Sequence, residues 1–354
     1  MIIRLLLSVL ILSGIKSHAA GWIAKIDNAV LDLDEFKKVI NIQKYMVGND
    51  KNLADPMGGE FEKRKLLDSF IEEKIILDAA SQKGFSSTHK DVINEFTNTR
   101  STFLAQFFLA REIDVSQIDI KEADMNTVYL QEKRNLPKEV TYEQIKPQIY
   151  QKLYLEKMSA LRDNYQKKLE GSYKVRRFKL DDFYIASVSS SKGDEQKIKK
   201  SAMEDEYQKQ IQQLTEAYSM KESELPAAKI TELKTKIREE LLLARLIEME
   251  IIRTGFEKQT MVKDALVLFQ NEIIKDQFFQ KEFISKIKIT DGDIAAEHDR
   301  NKKAYENMSY EQVRRLISDR IRMGKAQATI KEFLEDKKME ARIIINKEEL
   351  GKLK

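Results

Sequence analysis

Apolar residues recur every three or four positions along most of this chain, with charged residues between them. That is the spacing of helices that bury a single face. A short strand, Trp22–Ile26, comes first and meets the turn residues Asp27 and Asn28. A helix is predicted from near Asp34, with Phe36, Val39, Ile40 and Val47 on one stripe that Gln43 interrupts, and the loop at 48–59, which contains Pro56, ends it. A second helix runs from about residue 60 to 83 on Leu66, Leu67, Phe70, Ile71, Ile75, Ile76 and Ala79, and Gly84 stands where a C-terminal capping glycine belongs. A third begins after Ser87 and carries Val92, Ile93, Phe96, Phe103, Phe107 and Phe108. A short fourth follows Ile120, with Ala123, Val128 and Tyr129 inward. The fifth is the longest. It is capped by Thr141, striped by Ile145, Ile149, Leu153, Leu161, Tyr165 and Leu169, and expected to bend at Pro147, which lacks a backbone donor. After Gly171 the pattern changes to a strand at 173–178.

The same order then returns. Asp34-Glu35-Phe36 recurs as Asp205-Glu206-Tyr207, 171 positions on, and at that offset Gly84-Phe85 recurs as Gly255-Phe256 and Gln106-Phe107-Phe108 as Gln277-Phe278-Phe279. Further along the offset slips to 168: Thr141-Tyr142-Glu143-Gln144-Ile145 becomes Ser309-Tyr310-Glu311-Gln312-Val313, Lys157 matches Lys325 and Val175 matches Ile343. Anchors that keep their order with so small a slip mark a tandem duplication, with units too long for a solenoid repeat and the right size for a domain. The expected second copy has a strand at 183–186, helices from about Glu204, Thr231, Lys258, Thr290 and Ser309, and a closing strand at 341–346. The fold class that follows is mainly α: two modules at 20–180 and 181–354, each of about five helices closed by a short pairing of its own first and last strands.

Composition narrows the picture. Glycine (12) and proline (4) are scarce for 354 residues, which favours long helices. The 62 basic and 58 acidic residues are interspersed, and no basic run is interleaved with stacking aromatics, so no nucleic-acid partner is expected. The chain contains no cysteine, which excludes disulfides, thiolate metal sites and a lipid-modified cysteine anchor. At the N-terminus, Arg4 precedes an apolar run from Leu5 to near Ile15, and Ser17-His18-Ala19 supplies small residues ahead of Ala20. Residues 1–19 therefore read as a signal peptide cleaved near Ala19. The run falls well short of the roughly 20 residues of a spanning helix, so no stable membrane insertion is expected.

The stretches IAKIDNAVLDLDEFKKVI, KLLDSFIEEKIILDAASQKGF, IDIKEADMNTVYLQE and VTYEQIKPQIYQKLYLEKMSALRDNYQKKLEGSYKVRRF resemble, in that order, the first strand and helix, the second helix, the short fourth helix, and the long fifth helix with closing strand of the SurA N-terminal module. The resemblance covers residues 21–180 well and 182–346 more weakly. It implies a periplasmic chaperone that holds unfolded outer-membrane proteins without ATP or a cofactor. Members of that family often carry parvulin-type prolyl isomerase domains. Here only about 25 residues separate Phe178 from the second copy's first helix, and only His89 and His298 remain beyond the leader, so no isomerase and no enzyme is expected. A non-catalytic envelope scaffold that binds one folded partner is the other reading.

Candidate chemistry is sparse. His89 follows a Ser-Ser-Thr turn and is expected on the surface, while His298 aligns with Tyr129 and is expected to pack. Asp291, Asp293, Glu297 and Asp299 lack the alternation and closing glutamate of a calcium loop and suit the first turns of a helix better. The serines at 187–191 read as a linker, and no metal site is expected. The phenylalanine pairs are different. Phe107-Phe108 and Phe278-Phe279 are adjacent, so their side chains diverge by about 100° and cannot share one narrow stripe. One of each pair belongs in the core; the other either packs as well or reaches a client-binding groove. With Met46, a pliable apolar residue, these four are the candidate client-binding residues.

Overall fold

The computed structural model describes residues 21–47, 59–136, 140–191, 193–218, 222–305 and 310–353. The leader and its cleavage position, Pro56, Met57, Met220 and Ser309 lie outside the described residues. The fold is mainly α, with two small antiparallel sheets. In chain order the first half holds β1 (Trp22–Ile26), β2 (Ala29–Asp32), α1 (Leu33–Val47), α2 (Glu60–Gln82), α3 (Lys90–Glu112), α4 (Glu122–Glu132), α5 (Tyr142–Glu170) and β3 (Lys174–Arg177). The second half holds β4 (Tyr184–Ser189), β5 (Glu195–Lys199), α6 (Lys200–Tyr218), α7 (Ala227–Thr254), α8 (Thr260–Glu282), α9 (Asp291–Arg300), α10 (Tyr310–Glu340) and β6 (Ile343–Ile345), with a short α11 (Lys347–Lys352) after it. Up to β6 the two halves have the same element order.

The repeat extends to individual interactions. Gly84 and Gly255, each just past the second helix of its copy, both adopt the left-handed conformation, with φ of 83° and 61°. Lys146 meets Glu122 at 3.0 Å, and Arg314 meets Asp291 at 3.0 Å. Lys157 faces Asp124 at 3.7 Å, and Lys325 faces Asp293 at 3.0 Å. Asp124 Oδ2 accepts from the Lys121 amide at 3.2 Å as Asp293 Oδ2 accepts from that of Thr290 at 2.9 Å, so each short fourth helix starts with the same satisfied turn.

The strand pairing differs from the expected one. β1 pairs antiparallel with β6, in register Ala24↔Ile345, Lys25↔Ile344 and Ile26↔Ile343. β3 pairs antiparallel with β4, Val175 opposite Val188 and Arg177 opposite Ala186. Each copy thus closes with the last strand of the other. In the same way α2 packs on α10 and α7 on α5. The chain divides into two compact units accordingly. One comprises Met1–Lys44, Ala54–Phe103 and Lys258–Lys354; the other comprises Tyr45–Leu53 and Leu104–Glu257. Each unit combines the opening half of one copy with the closing half of the other. A duplicated sequence offers two equivalent partners for every opening strand, and the periodicity of a strand says nothing about which is taken.

Three smaller expectations also change. Asp27-Asn28 is a two-residue hairpin loop, with Asp27 at φ 52° and Ile26 opposite Ala29, and β5 pairs with β4 in the other sheet, so each sheet gains a strand and has three. The serine stretch at 187–191 is not a linker: Ser187 and Ser189 lie in β4 between two neighbours, and Ser187 is buried. In α4 it is Met125 that is buried, while Ala123 faces solvent. α5 continues through Pro147 as helix.

The chain has no native thiol, so a cysteine pair reports the exchanged pairing cleanly. Directly opposed antiparallel residues lie within reach of a disulfide. We expect Lys25→Cys with Ile344→Cys to form an intramolecular disulfide on mild oxidation, visible as a mobility shift of the monomer on a non-reducing gel. Lys25→Cys with Arg176→Cys, the pair that closure within one copy would bring together, should not cross-link.

Candidate functional site

Both units place a phenylalanine following the left-handed glycine against the phenylalanine pair of the other copy. In one unit Phe85 meets Phe278 edge to face, with ring centres 5.9 Å apart. In the other, Phe256 lies 5.0 Å from Phe108 in a T-shaped contact and 6.1 Å from Phe107. Such contacts add about 0.5–1.5 kcal/mol each beyond the area they bury. From this common arrangement the two units diverge.

Phe107 and Phe108 are both core residues, with Phe108 only 1% exposed, so the first pair does not split as the helical angle suggested. The reason is Arg111. Its guanidinium lies 5.3 Å above the Phe108 ring and 5.0 Å from that of Phe256, sealing both faces with a cation that rings attract. Tyr45 stacks on Phe107 at 4.4 Å from a third side. Met46, the next residue, is half-buried on α1.

The second pair does split. Phe278 is buried, and Phe279 is partly exposed. The residue that corresponds to Arg111, 171 positions on, is Glu282. A carboxylate is repelled by the electron-rich ring face and cannot serve as a lid. Glu282 turns to Lys286 instead, at 2.9 Å. Phe279 is then left partly exposed in an aromatic floor with Phe283 and Phe333, over the buried Phe278: Phe279 lies 5.9 Å from Phe283, and Phe333 lies 5.1 Å from Phe283 and 5.9 Å from Phe278.

Two depressions adjoin this floor, formed by the end of α8, the 3₁₀ turn Ile284–Lys286 and the middle of α10. One, of about 530 Å³, is lined by Phe279, Ile284 and Ile330 on its apolar side and by Glu95, Asp276, Gln277 and Gln280 on its polar side. The other, of about 420 Å³, holds Phe283, Ile287 and Ala328 with Lys286, Lys288 and Lys325. Concave surface that is apolar with a few polar groups is the usual form of a binding site.

α2 and α8 also bury a charged cluster that the stripe pattern gives no reason to expect. Glu73 is 1% exposed, and Lys275 bridges it at 3.7 Å and Glu272 at 3.0 Å. Burial pushes the Glu272 carboxyl up to about 7, because the loss of water outweighs the pull of Lys275.

The histidines and the acidic set serve packing and charge pairing. His89 lies against the Phe85 ring at 5.0 Å, half-buried rather than on the open surface, and His298 stacks on Tyr305 at 5.8 Å. Asp293 caps α9 and binds Lys325, Asp291 binds Arg314, and Glu297 binds Arg320 at 3.3 Å. Among the described residues no helix is long and apolar enough to cross a membrane. No family model, curated protein or solved structure matches this chain.

Two expected outcomes test this geometry. Phe256→Ala, in the sealed unit, should cost about 3–5 kcal/mol in chemical denaturation, as a buried Phe truncation does; Phe279→Ala should cost clearly less. The raised pKa of Glu272 sets a sign as well. The folded form holds its proton to higher pH than the unfolded chain does, so stability is lost as pH rises from the ordinary 4.5 through about 7. Glu272→Gln removes that loss. The melting temperature of the variant should exceed that of the parent at pH 8, and the gap should close towards pH 5.

Proposed function

We propose that this protein is an exported, periplasmic holdase that binds extended, apolar-rich segments of unfolded envelope proteins, outer-membrane proteins among them, without ATP, cofactor or catalytic site. The observation that carries this reading is the open aromatic floor of Phe279, Phe283 and Phe333, beside two depressions large enough for side chains of a client. Exposed apolar surface is a liability in a protein with no partner for it, and it is kept where something binds. The leader pattern before Ala20 supports export, and the resemblance of residues 21–180 to the SurA N-terminal module supports the chaperone class.

The mechanism needs only capture and release. A client segment lays its apolar side chains on the phenylalanine floor, which removes them from water and from other clients. The interspersed surface charge keeps the complex soluble. Affinity per segment is modest, because an unfolded client gives up chain entropy on binding, and this permits release without a nucleotide cycle.

The duplication supplies an internal control. Phe108 is closed by Arg111 and Phe279 is open at Glu282, so a mutation at 282 that restores the lid should mimic loss of the ring. We expect Phe279→Ala and Glu282→Arg each to weaken suppression of aggregation of a denatured outer-membrane protein, followed by light scattering, by at least half. Both variants should melt within a few degrees of the parent. The same loss should appear with an unrelated unfolded protein; suppression confined to a single folded partner's aggregation would favour a scaffold instead. Activity that tracks melting temperature alone across both variants would remove the floor from the mechanism.

A further inference from the structure

The depression beside Phe279 carries a charge imbalance that the aromatic floor alone does not require. Its polar side presents two carboxylates, those of Glu95 on α3 and Asp276 on α8. Gln277 donates its Nε2 to Glu95 Oε2 at 2.6 Å, which fixes the carboxylate in place without neutralising it. The nearest cation along α8, Lys275, points its ammonium to Glu272 and Glu73, at 3.0 and 3.7 Å. Among the described ion pairs neither Glu95 nor Asp276 has a cation of its own. The second depression, around Phe283, has the opposite bias: Lys288 lines it together with Lys286, paired with Glu282, and Lys325, paired with Asp293. The floor thus lies between an acidic hollow and a basic one.

We infer that the acidic hollow selects client segments in which an aromatic or aliphatic side chain is followed within a few residues by a lysine or arginine. This rests on the holdase reading above and narrows its client class. The apolar side chain occupies the wall made by Phe279, Ile284 and Ile330, and the cation lies between Glu95 and Asp276. The crowding of the Asp276 carboxyl agrees with this. The residue is exposed overall, but partial loss of water around the carboxyl raises its pKa above the usual carboxylate range, Lys275 pulls it back, and the charge of Glu95 raises it further. A cation placed between the two carboxylates offsets the repulsion that the empty hollow retains. A segment carrying glutamate in place of lysine adds a third negative charge there and is disfavoured.

The test uses the full-length protein and three fluorescein-labelled, unstructured decapeptides. They are identical except for one position, two residues after a central Phe-Phe, which is Lys, Gln or Glu. Binding is measured by fluorescence anisotropy. The Lys peptide should bind roughly three- to fivefold tighter than the Gln peptide, the range of a partly exposed ion pair, and the Glu peptide should bind weaker than either. The Lys-to-Gln ratio should shrink towards one between 0.05 and 0.5 M salt. In Glu95→Gln/Asp276→Asn the ratio should fall to near one. Equal binding of the Lys and Gln peptides to the parent protein would overturn the inference, as would a ratio that survives in the double variant. If the Gln peptide binds and is lost in Phe279→Ala while the ratio is one, the floor stands and only the charge selection fails. If no peptide binds, both readings fail together.

Discussion

The pairing of each copy's first strand with the other copy's last strand is the constraint on which the rest of this structure depends. Once Ala24 lies opposite Ile345 and Val175 opposite Val188, the opening half of each copy must pack its second helix on the other copy's fifth. The phenylalanine after each left-handed glycine is then delivered to the phenylalanine pair of the other copy. Phe85 reaches Phe278, and Phe256 reaches Phe107 and Phe108. Neither half of the sequence holds a complete core. Ile76, Leu77 and Ala80 of α2 cluster with Ile273, Ile274 and Phe278 of α8, just as α7 packs on α5 of the first copy. In a chain without a single cysteine, this interlocking of apolar faces has to supply the stability that a crosslink would otherwise provide.

Duplication followed by exchange also explains how one molecule can hold a sealed and an open version of the same aromatic motif. Phe107-Phe108 and Phe278-Phe279 occupy equivalent places, and the covered pair has a cation four positions after its first ring, Arg111, where the partly open pair has Glu282. The cation lies over one ring, and the carboxylate leaves the other partly exposed. One unit is thereby committed to packing, while its counterpart can present apolar surface without endangering the fold. The charged cluster of Glu73, Glu272 and Lys275, on α2 and α8, fits the same division. Charges buried this way add little net stability, and the residues 171 positions away in the other copy, Ala244, Ser101 and Leu104, are uncharged.

Much of this could be read in the chain beforehand, and the limits have physical reasons. Helix order and approximate bounds follow from apolar spacing, and Gly84 and Gly255 from the need for a left-handed cap. The duplication rests on anchors such as Lys157 and Lys325, whose ion pairs recur in both copies. The hairpins do not show in the pattern because Ala29–Asp32 is too short, and Glu195–Lys199 too polar, to display an apolar alternation. The exchange was invisible because an opening strand has the same complementarity to both closing strands. The opening of Phe279 was half visible: adjacent phenylalanines diverge on any helix, but the lid depends on a residue one turn away whose charge acquires meaning only once the ring is known to face outward. The cluster around Lys275 lies within helices whose apolar stripes dominate the pattern, and nothing in the spacing of Glu73 or Glu272 marks them as buried.

The exchange of halves is tested most directly by separating them. Residues 21–180 and 181–354 would be produced as two chains, each examined alone and mixed one to one, by circular dichroism with thermal unfolding and by sedimentation. The account predicts that neither chain alone gives a monomer with a cooperative transition near that of the whole protein, since each lacks the other half of both its cores. Mixing should yield a one-to-one complex whose cooperative unfolding approaches that of the intact chain. Two halves that fold separately as stable, cooperative monomers and ignore each other on mixing would contradict it.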